Sequence, residues 1–166
     1  FATLLSRGDG VPMNKSSAAH FYRSAIGLGH PGAMRNYAQM LLKGDGVKED
    51  KEEAAKLFKF AGEKGDSRAM FCYARCLERG EGVEADRPAA LHYYQLSADS
   101  GCSDAMNNYA FVLEGLGKGE EAVSYYKKGI EQGHVGAMFN FGCVLLRGSC
   151  GMNEDKKEAA KFLKLA

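Results

Sequence analysis

One dipeptide, repeated on a nearly fixed beat, constrains this chain more than anything else in it. Ala33-Met34 recurs as Ala69-Met70, Ala105-Met106 and Ala137-Met138, at intervals of 36, 36 and 32 residues. Glycines keep the same beat at Gly29, Gly65, Gly101 and Gly133. A Gly-acid-Gly-Val turn stands at residues 8–11, 44–47 and 80–83; the fourth copy shortens it to EGLGKGEEA, and the fifth lengthens it to RGSCGMNED. Self-similarity at such a period marks an array of supersecondary units, none of which can bury its apolar face without its neighbours.

Each unit reads as a pair of helices. Helix A is expected over about residues 31–43, 67–79, 103–114 and 135–147. Its apolar positions in the first full copy, Met34, Tyr37, Ala38, Leu41 and Leu42, follow the spacing of a helix buried on one side. Gly44 sits where a helix ends with positive φ. Helix B follows, with Asp50 as N-cap and Glu53 three residues on as a capping box, a device repeated at Asp155 and Glu158. Asn14 and Asp86 occupy the same cap position, Pro88 falls in a first turn, and Gly65 closes helix B. Small residues recur on helix A (Ala38, Ala74, Ala110, Gly142) and on helix B (Ala25, Ala61, Ser97, Gly129, Ala166), allowing close helix approach. Phe58, Tyr94 and Tyr126 are the large residues expected to fill the space between pairs. The pairs divide as 1–29 (partial), 30–65, 66–101, 102–133 and 134–166 (truncated), within one repeat domain over 1–166. Phe1 aligns with Tyr37, inside a helix A, and Ala166 lies inside a helix B, so the segment is expected to be part of a longer repeat array.

Composition narrows the function classes. Twenty-two Lys and Arg stand against 21 Asp and Glu, a formal charge of +1, which provides no global field for nucleic acid or an anionic membrane. The apolar runs are short pieces such as MLL and VLL, so no direct membrane insertion is expected. Five cysteines cannot all pair within one chain. Cys72 and Cys76, four apart on one helix, fit disulfide geometry poorly, and Cys102, Cys143 and Cys150 follow no period. Reduced thiols and a cytoplasmic location are the expectation; the ER lumen or secretion is the alternative if a signal peptide precedes this segment.

The alternating helices, the 36-residue period, the Gly-x-Gly-Val turn at fixed offset and the acid-capped helix with its Ala-Ala pair resemble the Sel-1-like repeat family, a relative of the tetratricopeptide repeats. The resemblance covers nearly the whole chain. The fourth copy, AMNNYAFVLEGLGKGEEAVSYYKKGI, looks more like a tetratricopeptide repeat. The resemblance implies an all-α, right-handed superhelical α/α solenoid of helix-pair repeats. It also implies a non-enzymatic scaffold or adaptor for a protein or peptide partner. Family members serve in ER quality control, membrane-bound ubiquitin-ligase assemblies, signalling and bacterial host interaction, so an ER quality-control adaptor of a ubiquitin ligase is the alternative. A cysteine-rich bacterial branch with β-lactamase-like members is the enzymatic one. Its stapling cysteines would take the positions of Ala61 and Met70, which are not cysteines, and that chemistry is not carried over.

The residues themselves supply little chemistry. The Gly-x-Gly-Val turns follow helices, whereas a phosphate loop needs a strand before it. His20 and His92 share one repeat position, and His30 and His134 another, too far apart for one metal, and no clustered Cys/His spacing appears. No nucleophile–base set is visible, and no cofactor or metal is expected. What varies between copies is the exposed face of helix A. By analogy with tetratricopeptide helices, the concave face should carry Arg35, Asn36, Gln39 and Lys43; Phe71, Cys72, Arg75 and Arg79; Asn107, Asn108 and Phe111; and Phe139, Asn140, Cys143 and Arg147. Asn36, Asn108 and Asn140 would form a ladder able to hold a peptide backbone. The phenylalanines would supply apolar anchors, and the cations would meet carboxylates. The competing reading is structural: Arg7, Lys43, Arg79 and Arg147 each end a helix, where the dipole alone favours a cation, and the phenylalanines would pack between repeats.

Overall fold

A computed structural model describes residues 2–7 and 14–166 of the chain. The Gly8–Val11 turn and the Phe1 alignment fall outside the described residues. Ten α-helices and no strand occur among the described residues. The chain groups into two compact units, residues 1–90 and 91–166. The first holds α1 (Ala2–Arg7), α2 (Lys15–Gly27), α3 (Pro31–Lys43), α4 (Lys51–Glu63), α5 (Ser67–Arg79) and the first turn of α6 (Arg87–Asp99). The second holds the rest of α6, then α7 (Ser103–Gly115), α8 (Gly119–Glu131), α9 (Val135–Arg147) and α10 (Lys156–Leu165). In the first unit α1 to α5 each pack on the next, and α3 also reaches α5; in the second the same holds for α7 to α10, with α7 reaching α9. Odd-numbered helices are therefore helix A of each repeat and even-numbered helices are helix B; α3 lies beside α5 in the first unit and α7 beside α9 in the second.

The expected caps form. Asn14, Asp50, Asp86 and Asp155 each accept the backbone N–H three residues on, at 2.8–2.9 Å. The reciprocal half of the capping box does not form. The backbone N–H of Asp50 donates instead to the carbonyl of Leu41, nine residues back on helix A, at 3.0 Å. Asn14 to Leu5, Asp86 to Leu77 and, in the longer fifth loop, Asp155 to Leu145 repeat that bond. A side chain at position N3 has nothing left to cap, and the loop is tied at both ends.

Gly44, Gly80 and Gly148 end helix A in the left-handed conformation, as expected of a helix-terminating glycine. The second glycine of the turn has a different cause. Gly82 has φ +75°, and a Cβ there would fall on the backbone carbonyl of Lys51, at the start of the preceding helix B. Gly46 meets Lys15 in the same way. In the fifth copy the contact is inverted. Gly119 stands at the start of helix B, and opposite it Cys150 takes φ 58°, the only non-glycine with positive φ among the described residues. One side of this contact must be a glycine, and the chain supplies it from one side or the other.

The core is small residues plus one large anchor per pair. Ala18, Ala38, Ala54, Ala61, Ala74, Ala105, Ala110 and Ala122 are fully buried or nearly so, as are Phe58, Tyr94 and Tyr126. On α3 the expected stripe needs correction: Leu42 and Tyr37 are only half-buried, and Met40 is buried in their place. Met40 packs with Ala18, Ala19, Tyr22 and Ala33. Helix A is covered on two sides, by its own helix B and by the preceding pair. A one-sided stripe misses the second side.

Candidate interaction surface

The variable positions of helix A are treated unit by unit. In the first unit, Arg35 donates from Nε to Asp66 Oδ2 at 3.0 Å, and both side chains are largely buried. The other oxygen of Asp66 caps α5 through the Ala69 N–H at 2.9 Å. Arg35 therefore ties one repeat to the next. Asn36 donates to the Tyr22 hydroxyl at 3.3 Å, and Tyr22 is itself 5% exposed. Gln39 reaches the Cys72 thiol at 4.0 Å. Phe71 is half-buried, with the Arg75 guanidinium 5.8 Å from its ring centroid. Lys43 and Arg79 are exposed.

In the second unit, Phe111 is 63% exposed and Phe139 53%. Between their positions on α7 and α9 runs an amide pair: Asn140 donates to Asn107 Oδ1 at 2.9 Å, and Asn107 donates to Asn108 at 3.3 Å. The asparagines that meet are thus Asn107 and Asn140. Asn108, which shares its repeat position with Asn140, accepts from Asn107 instead. Arg147 donates to Glu114 at 3.0 Å and to the Cys143 carbonyl at 3.2 Å. Glu114 also accepts from the buried Tyr126 hydroxyl at 3.2 Å. Burial, then the negative charge of Glu114, raises the Tyr126 hydroxyl pKa.

Three polar roles escape the sequence pattern. Glu114 stands where the other copies carry Leu42, Glu78 and Leu146, and reads as solvated until Tyr126 and Arg147 are seen around it. Tyr22 aligns with core aromatics, yet its hydroxyl holds Asn36. His134 caps α9: its Nδ1 accepts the Ala137 N–H at 3.0 Å, which leaves Nε2 to donate to Asp104 at 3.1 Å. Capping residues are usually oxygen-bearing, so a histidine gives no such signal.

Two of the thiols, Cys76 and Cys150, are shifted away from the reactive thiolate. All five cysteines are free. Burial pushes the Cys76 thiol up to about 11, with Cys72 and Glu81 adding to it, and burial followed by Glu114 raises Cys150. An activated nucleophile needs the opposite shift. Among the described residues no group of His, Cys, Asp and Glu is placed to hold a metal ion, and no helix is long and apolar enough to cross a membrane.

The repeats and their loops now bear comparison with known proteins. Five consecutive Sel1 repeats match residues 2–30, 31–66, 67–102, 103–134 and 135–166. The chain belongs to the Sel1 repeat family. Among solved structures, a Sel1 repeat protein from Oxalobacter formigenes matches with a TM-score of 0.90 at 27% identity, over 99% of this chain and 69% of that one. A protective antigen present in uropathogenic Escherichia coli strains matches with a TM-score of 0.90 at 26% identity, over 99% of this chain and 36% of that one. The present chain thus spans about a third of that antigen's length. Cysteine-rich protein B of Helicobacter pylori matches with a TM-score of 0.53 at 22% identity, over 55% of this chain and 69% of that one, a likeness of fold. No curated protein matches at the level of sequence. The fold is the all-α helix-pair solenoid of the Sel1 repeat proteins, which in general are protein-interaction scaffolds.

Proposed function

We propose that this chain is a non-enzymatic scaffold whose helix-A face receives a peptide segment of a protein partner. The observation that carries this reading is the pair Phe111 and Phe139. They stand at positions that vary between copies and are 63% and 53% exposed, while the conserved-register aromatics Tyr109 and Phe141 beside them are buried. Stacking of repeats uses the buried pair and leaves the exposed pair without structural work. Asn107 and Asn140 sit at the same face with amide capacity left after their mutual bond, suited to a peptide N–H and C=O. Aromatic anchors next to a polar pair are the composition of an interface centre.

The test is selection of peptides from a random displayed library on the immobilised chain, followed by affinity measurement on Phe111→Ser/Phe139→Ser. Aromatic anchors at a hot spot typically carry about 2 kcal/mol or more each, so each single loss should weaken affinity roughly 30-fold and the double variant on the order of several hundred-fold. Its melting curve should be nearly unchanged, because substitutions at exposed sites cost within about 0.5 kcal/mol. Unchanged affinity with a normal melt would remove the interaction from this face.

A further inference from the structure

The first unit carries a polar cleft of about 150 Å³ lined by Thr3, Ser6, Arg7, Tyr22, Asn36, Gln39, Met40, Lys43 and Asp45. We infer that this cleft is the carboxylate-receiving subsite of the chain, taking one carboxylate of the bound peptide between Arg7 and Lys43. The inference rests on the peptide-binding reading above and names the chemistry it requires in the first unit.

Charge comes first. Arg7 and Lys43 close two successive A helices and have no ion-pair partner among the described residues. The one acid in the lining, Asp45, is already engaged by Lys15 at 2.6 Å. Two cations without an ion-pair partner among the described residues therefore face a space in which Asp45, the one carboxylate among its described lining residues, is already paired with Lys15. Donors come second. Asn36 is fixed by the buried Tyr22 hydroxyl, which donates onward to Thr3 Oγ1 at 3.3 Å. One N–H of the Asn36 amide remains for a ligand, while the Ser6 hydroxyl is already spent on the Thr3 carbonyl at 2.9 Å. A cationic pair with an oriented amide donor matches the acceptor-only chemistry of a carboxylate. Size comes third: small-molecule and cofactor pockets run to about 300–1,000 Å³, so this cleft suits a single small group and not a nucleotide.

The probes are three short N-acetylated peptides: one with a free C-terminal carboxylate, its C-terminal amide, and an amidated peptide with one internal aspartate. Each is titrated at millimolar concentration into the ¹⁵N-labelled chain, with inorganic phosphate as a fourth titrant. The expected result is saturable movement of the Asn36 and Gln39 side-chain amides with one or both acids and not with the neutral amide. Which acid acts tells a chain terminus from a side chain. In Arg7→Gln/Lys43→Gln, with its melt checked, binding should weaken about tenfold or more, and in the parent it should weaken as salt rises. Equal movement with the neutral amide, movement with phosphate alone, or unchanged affinity in the double variant would each overturn the assignment. Peptide-induced shifts around Phe111 and Phe139 with none at Asn36 would sink this subsite and leave the groove standing. Shifts at neither place would sink both.

Discussion

Gly82→Ala and Gly65→Ala form a controlled pair. Both glycines have positive φ, +75° and +91°, so alanine at either meets the same backbone penalty, about 1–2 kcal/mol for an L-residue in the left-handed region. They differ in what lies around them. Nothing stands within 4 Å of a Cβ at Gly65, whereas at Gly82 the new methyl would collide with the Lys51 carbonyl and lie 2.8 Å from the Glu52 nitrogen. Backbone yields less readily than a side-chain tip, so the overpacking cost of about 1–3 kcal/mol adds in full at Gly82. For a chain of this size 1 kcal/mol moves Tm by roughly 2–4 °C, so Gly65→Ala should lose about 5 °C and Gly82→Ala about 10 °C. Circular dichroism melts of the two variants beside the parent read the difference. Equal losses would refute the argument that the second glycine exists for the approach of the turn to the preceding helix B.

The inverted contact gives the converse expectation: Cys150→Gly relieves a left-handed non-glycine and should raise Tm by about 2–4 °C, checked by the same melts. Asp66→Asn keeps the cap on α5 and loses the charge opposite Arg35; Asp66→Ala loses both, and urea titration should find it the more destabilised by about 1 kcal/mol. Tyr126→Phe removes a bond to a carboxylate and should cost about 1–2 kcal/mol in urea unfolding. The raised thiol pKa of Cys76 favours the neutral form in the folded chain. That stability is fully present below its ordinary value of 9.0 and is lost as pH rises toward about 11. Melting temperature followed from pH 9 to 11 should therefore fall less in Cys76→Ala than in the parent.

The fold was legible because the repeat writes each rule several times. One Asp50 before an apolar helix is a weak cap signal; the same residue type at Asp86 and Asp155 removes the ambiguity. The close contact at Gly82 was not legible, since a glycine needed for space and one needed for φ look alike in sequence. Met40 was missed because periodicity reports one buried face and helix A has two. At the surface, Phe111 and Phe139 were readable as apolar residues without a core role. Arg35 was not: its partner Asp66 lies in the next repeat, and only the packing of α3 beside α5 brings them together. The meeting of Asn107 with Asn140 was not legible for the same reason. A period fixes which residues are equivalent, whereas the offset between neighbouring helices decides which of them meet.

Hydrogen–deuterium exchange of the chain with and without a selected peptide tests the central claim most directly. The account predicts that protection on binding concentrates in the A helices, α7 and α9 above all, and disappears in Phe111→Ser/Phe139→Ser. Protection confined to the B helices α4, α8 and α10, unaffected by that double variant, would contradict it.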